Sequence, residues 1–127
     1  MIQRTASCSC KSLSTAAAGE LIKVSACHCA ACRKRTGSAF SVAVFFDAGQ
    51  TTPAGPSGRY VRLGDSGQPV EFHFCPTCAS TVFWYPAFRP GWVGVALGCF
   101  DDQDLRPTQA VYEDERLAWV RIEIEGG

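Results

Sequence analysis

The sequence predicts a mainly β fold, and three observations carry that reading. Short runs rich in Val, Phe, Tyr and Trp recur between clusters of Gly, Pro and Asp. Two of the runs alternate apolar with polar residues, the period of a half-buried strand. Only one stretch has helical character, and it is short. At 127 residues the chain is expected to form a single domain spanning 1–127.

The elements follow in order. Leu21–Ala26 is the first expected strand. Ala30, Ala31, Arg33, Lys34 and Arg35 are good helix formers, and Gly37 stands where a helix should stop, so a helix of about two turns is expected here. Ser41–Phe46 is the second strand. Asp47–Gly58 holds two Pro and three Gly, which predicts a surface loop. Further strands are expected at Arg59–Leu63, Val70–Phe74, Thr81–Tyr85 and Trp92–Leu97. Val70, Phe72 and Phe74 share one face, with Glu71 and His73 on the other; His73 reads as structural or exposed. In Leu117–Glu125, Val120, Ile122 and Ile124 alternate with Trp119, Arg121, Glu123 and Glu125, which predicts a last strand with one wet face.

Composition narrows the function. Apolar residues make up 46% and charged residues 19%, a globular and not a disordered balance. Twelve Lys+Arg offset twelve Asp+Glu, which disfavours a protein that coats nucleic acid. The zero hides a split: residues 1–62 carry eight basic and two acidic groups, residues 63–127 four and ten. Two halves of one fold that neutralise each other account for it. The start lacks the apolar run of about 7–15 residues of an export signal. The longest near-apolar stretches, Ala39–Phe46 and Trp92–Phe100, fall short of the ~18–20 residues that span a bilayer. A cytoplasmic protein with no membrane or nucleic-acid partner is expected. Thiols stay reduced in that compartment, so eight cysteines are better read as ligands or catalysts than as disulfides.

Those cysteines are grouped. A Cys75-Pro76-Thr77-Cys78 turn after a strand forms a knuckle that aims two sulfurs at one point. Zinc takes four ligands in a tetrahedron, and two come from here. Cys8 and Cys10, two apart on an extended segment, point to the same side and complete a closed four-cysteine site. Spacing disfavours disulfides, and the runs do not match those of ferredoxin-type iron–sulfur clusters. Cys27, Cys29 and Cys32 supply three ligands within six residues. Three protein ligands and one open position is the catalytic zinc pattern, and four the structural one. Cys99 is either a fourth ligand that closes this second site or a buried hydrophobe. His28 points away from its cysteine neighbours and is expected to pack beside the site.

Cys8-Ser9-Cys10, Cys27-His28-Cys29-Ala30-Ala31-Cys32-Arg33-Lys34-Arg35-Thr36-Gly37-Ser38-Ala39-Phe40 and Phe74-Cys75-Pro76-Thr77-Cys78-Ala79-Ser80 together resemble the glutathione-dependent formaldehyde-activating enzyme family, also called the centromere-protein-V-like family. Gly98-Cys99-Phe100-Asp101-Asp102 and Trp119 extend the likeness. The resemblance implies several small coiled antiparallel β-sheets around two Zn2+ sites. It implies a structural site at Cys8, Cys10, Cys75 and Cys78, and a catalytic site at Cys27, Cys29 and Cys32. The implied reaction joins glutathione to formaldehyde, giving S-(hydroxymethyl)glutathione, formally a carbon–sulfur lyase. Ala79 stands where the family often has Gly, which predicts backbone strain there. Glutathione carries two carboxylates, so Arg33, Lys34 and Arg35 are candidates to clamp one, with Thr36 and Ser38 as hydrogen-bond donors. Two rival readings are a non-catalytic zinc-binding interaction module with both sites closed, and a thiol-redox protein using Cys27–Cys32.

Overall fold

The structure, a computed structural model, describes residues 2–124. Among them ten strands and one helix run in the order β1 (Gln3–Ser7), β2 (Ser14–Ala18), β3 (Lys23–Cys27), α1 (Ala30–Thr36), β4 (Ser41–Asp47), β5 (Thr51–Ala54), β6 (Gly58–Leu63), β7 (Pro69–Phe74), β8 (Thr81–Pro86), β9 (Trp92–Ala96) and β10 (Gln109–Val111). The fold is mainly β, as the sequence predicts. The strands form a three-stranded sheet, β1-β2-β5, and a seven-stranded sheet, β10-β3-β4-β9-β8-β7-β6. Every pairing is antiparallel except β10 with β3. No described helix is long and apolar enough to cross a membrane.

Two expectations are corrected. Asp47–Gly58 is not a plain loop: a 3-10 turn at Ala48–Gln50 leads into β5, which adds a third strand beside β2. Its Pro53 is tolerated because β5 is an edge strand. Leu117–Glu125 is not a strand over its described part, and Glu125 lies outside the described residues. A turn closes on the Val120 N–H to Leu117 carbonyl bond, and the Arg121 guanidinium donates to the Ala118 and Val120 carbonyls. The alternation there is real, since Val120 is buried and Arg121 and Glu123 are exposed. It reports which face meets the protein, and no strand among the described residues pairs with it to complete a ladder.

The period of two along β4 divides the molecule. Val44 and Phe46 are fully buried and pack with Ala6, Leu13, Ala17, Val93 and Val95 between the two sheets. Ser41, Ala43 and Phe45 face the other way, where Ala43, Val70, Phe72 and Trp84 form a second apolar cluster. The basic and acidic halves of the sequence meet: Arg4 on β1 bonds Asp102 at 2.8 Å and Asp104 at 2.9 Å. His73 stacks on Phe83 at 4.8 Å, with Glu71 2.7 Å from Nε2 and Ser57 3.0 Å from Nδ1. It pins β7 and serves the fold.

Trp84 lies directly opposite Gly94 on β9. A Cβ at Gly94 would sit 2.4 Å from the indole Nε1, so only glycine lets the ring lie flat on the strand. Gly94→Ala is expected to lower the unfolding free energy by roughly 1–3 kcal/mol through this overpacking, measured by denaturant titration.

Candidate metal centres

The first cluster joins two turns. Cys8 and Cys10 come from the connection between β1 and β2, and Cys75 and Cys78 from the knuckle between β7 and β8. Their four sulfurs lie within 4.8 Å of one another. Cys8 and Cys10 are 3.7 Å apart, Cys10 and Cys75 3.6 Å. Four sulfurs about 2.3 Å from a central ion would be spaced by about 3.8 Å, so the donor set and its spacing fit a tetrahedral metal. Hydrogen-bond donors surround these sulfurs. The Leu13 N–H donates to Cys8 Sγ, and the Thr77 and Cys78 N–H groups donate to Cys75 Sγ. Ser12 Oγ lies 3.1 Å from Cys75 Sγ and 3.2 Å from Cys10 Sγ. Cys75 is lowered to about 7, first by the Ser12 hydroxyl, and Cys78 to about 5, first by the Ser80 hydroxyl.

The knuckle closes through the Ala79 N–H to Cys75 carbonyl bond. This leaves Ala79 at φ 69°, in the left-handed region where a Cβ is costly. The strain anticipated at this position is therefore present. Ala79→Gly is expected to raise thermal stability by about 0.5–1 kcal/mol, read as an upward shift in melting temperature with unchanged metal content.

The second cluster is built where β3 ends and α1 begins. Cys27 is the last residue of β3. Cys29 is the N-cap of α1, its sulfur accepting the Cys32 N–H at 3.3 Å, and Cys32 lies in the first turn. Their three sulfurs also lie within 4.8 Å of one another. Cys32 is held well below the usual thiol range, first by a hydrogen bond from the Cys27 thiol and also by the Ser41 hydroxyl and the Arg35 charge. Cys27, the donor in that pair, is pushed up. This cluster too can hold a metal ion, with three protein ligands.

Cys99 does not join it. Its Sγ points to the Thr81 carbonyl at 3.7 Å, it packs against the main core, and its nearest thiol charges are those of Cys8 and Cys78. Burial pushes this thiol up to about 11. Cys99→Ala is expected to leave the metal content of the purified protein unchanged, measured by elemental analysis.

A cavity of about 410 Å³ opens over the three-cysteine cluster. Cys27, Cys29 and Cys32 form part of its wall, with Arg35, Ser41, Arg62, Phe72 and Trp84 among the other lining residues. Of the five residues singled out from the sequence as substrate contacts, Arg35 alone lines it. Cys32 and Arg35 share a helix face at i, i+3, and Arg33 and Lys34 turn off it. Arg33 donates to the His28 and Glu115 carbonyls, and Lys34 is exposed. Thr36 Oγ1 donates to the Cys32 carbonyl and accepts the Ser38 N–H, so both residues finish the helix. His28 is fully buried against Phe40, its ring centroid 5.9 Å away, and neither ring nitrogen has a hydrogen-bond partner among the described residues.

The sequence reading did not single out Ser41, Arg62, Trp84 or Tyr112. Antiparallel register places Tyr60 opposite Phe72 and Arg62 opposite Val70, which would have flagged Arg62 once β6 and β7 were aligned. Tyr112, at φ 55°, donates its hydroxyl to Asp65 at 2.6 Å and so links the segment after β10 to the turn between β6 and β7 at the cavity wall. That bond holds the phenol up at about 12.

A family model described as glutathione-dependent formaldehyde-activating enzyme matches residues 3–115. The chain belongs to that family. The match spans both cysteine clusters and every residue of the cavity wall named above. No curated protein matches the chain. Among solved structures, the crystal structure of a Rhodobacter sphaeroides protein is similar at a TM-score of 0.60 and 16% identity, over 84% of this chain and 98% of that one. At that identity the likeness speaks for the fold alone.

Proposed function

We propose that the protein is a two-zinc enzyme of the S-(hydroxymethyl)glutathione synthase type, a carbon–sulfur lyase joining a small thiol to formaldehyde or a related aldehyde. The observation that carries this reading is a cluster of three cysteines, not four, on the wall of a cavity. Cys8, Cys10, Cys75 and Cys78 are the closed structural set; Cys27, Cys29 and Cys32 hold the reactive zinc with one position left to the ligand. Bound there, zinc would supply a coordination site that keeps an incoming thiol deprotonated at neutral pH. Glutathione is the thiol that family membership favours, and a cytoplasmic setting supplies it.

The remaining work falls to the chain. Three thiolates and one divalent cation leave a net charge of −1, which Arg35, hydrogen-bonded to Cys32, offsets. Phe72 and Trp84 bound the cavity with apolar surface that limits water beside the sulfurs. Thiol addition to a small aldehyde is intrinsically easy, so holding both reactants in one cavity is the main contribution. The Tyr112 hydroxyl stays protonated at neutral pH and commits its hydrogen to Asp65.

The position of Cys99 argues against the rival in which it closes the second site. Cys32→Ser is expected to lose one of two zinc ions and glutathione binding together, measured by elemental analysis and calorimetry. Undiminished glutathione binding in that variant would overturn the reading. A cobalt-substituted second site should change its absorption spectrum on adding glutathione, and a closed site would not.

A further inference from the structure

Two guanidinium groups share one aromatic ring in the cavity. The Arg35 guanidinium carbon lies 5.0 Å from the Phe72 centroid and 4.6 Å from that of Trp84. The Arg62 guanidinium carbon lies 4.9 Å from the same Phe72 centroid. Several other arginines are matched: Arg4 has two aspartates, Arg59 has Glu71, and Arg33 has two backbone carbonyls. Arg62 has no carboxylate partner among the described residues, and the buried Arg35 Nε has no hydrogen-bond partner. Of the two carboxylates on the cavity wall, Asp65 accepts the Tyr112 hydroxyl and Glu115 the Ala30 N–H.

Like charges held close in a partly desolvated wall repel. Stacking on Phe72 and Trp84 offsets only part of this, as a cation over a ring is worth about 0.5–2 kcal/mol. Arg35 has a second outlet in the Cys32 sulfur. Arg62 has no such contact, and neither carboxylate of the cavity wall pairs with it, so its guanidinium is without an ion-pair partner among the described residues. Carboxylates match guanidinium donors in shape as well as charge.

We infer that Arg62, with Arg35 beside it, is a carboxylate seat that makes the cavity selective for thiols carrying a carboxylate. This rests on the proposal that the three-cysteine cluster receives a thiol. The sulfur would enter at Cys27, Cys29 and Cys32 while the carboxylate docks on the guanidinium pair. Arg62 is then a specificity residue acting at the far end of the ligand from the reacting sulfur.

The test uses the cobalt-substituted protein titrated with 3-mercaptopropionate, 2-mercaptoethanol and cysteamine, following the absorption bands of the second site. The carboxylate thiol should bind at least ~10-fold more tightly than the neutral one and more tightly still than the cationic one, as expected for a charge-assisted hydrogen bond. Arg62→Gln should abolish that preference, and Arg62→Lys should keep part of it. Calorimetry with S-methylglutathione on the zinc-loaded protein, wild type and Arg62→Gln, reads the seat without a free thiol. Equal binding of the three thiols, or a preference unchanged in Arg62→Gln, overturns the seat and leaves the thiol-binding reading intact. A silent cobalt spectrum with Arg62-dependent S-methylglutathione binding removes the thiol-binding reading and supports the seat. Loss of neither signal and gain of neither, with no ligand bound by any method, overturns both.

Discussion

Four sulfurs, drawn from turns more than sixty residues apart, meet within 4.8 Å, and the rest of the architecture hangs on that convergence. The strands of the small sheet contribute Ala6 and Ala17 to the core between the sheets, and Leu13 enters it from the connection between β1 and β2. Alanine methyls bury little apolar area, and at roughly 0.8 kcal/mol per buried methylene they cannot by themselves hold three strands in place. A metal held by four thiolates would contribute on the order of 10 kcal/mol to folding. Such an ion would fasten the junction between β1 and β2 to the junction between β7 and β8 and so hold the two sheets face to face. The Arg4 bonds to Asp102 and Asp104 brace the same hairpin from its other side.

With the sheets fixed, the large one is free to use its faces differently. One face is apolar and closed. The other carries a wall of aromatic rings, two arginines and three thiols. Gly94 lets Trp84 lie flat, Trp84 supports Arg35, and Arg35 reaches Cys32. A residue without a side chain thus sets the position of a charge beside the sulfurs.

Much of this was legible in the residues. The six strands from Leu21 to Leu97 declare themselves through β-branched and aromatic runs, and each lies within two residues of its expected bounds. The pairing of Cys8 and Cys10 with Cys75 and Cys78 followed from the knuckle, the same-side projection of two cysteines two apart, and the four ligands that zinc takes, and the short helix from the helix formers between Ala30 and Arg35 with Gly37 as their stop. What stayed hidden had physical reasons. The strands β1, β2 and β5, with sequences QRTAS, STAAA and TTPA, have weak β propensity and exist because they pair. Leu117–Glu125 shows the converse over its described part, an alternating pattern with no strand among the described residues to pair against. Arg62 was invisible because its partner ring, Phe72, comes from another strand and only register brings them together. Among Arg33, Lys34 and Arg35, sequence order could not say which faces the sulfurs; the turn of the helix decides it.

Cys29 has two employers. Its sulfur belongs to the metal-binding trio, and the same atom caps α1 by accepting the Cys32 N–H. Seven residues are too few for a helix to persist in water unaided. Helix initiation and ligand alignment are therefore one event: whatever draws Cys29 into place starts the turn that carries Cys32, and one turn later Arg35, into the cavity. The three sulfurs and the arginine charge beside them are therefore assembled together.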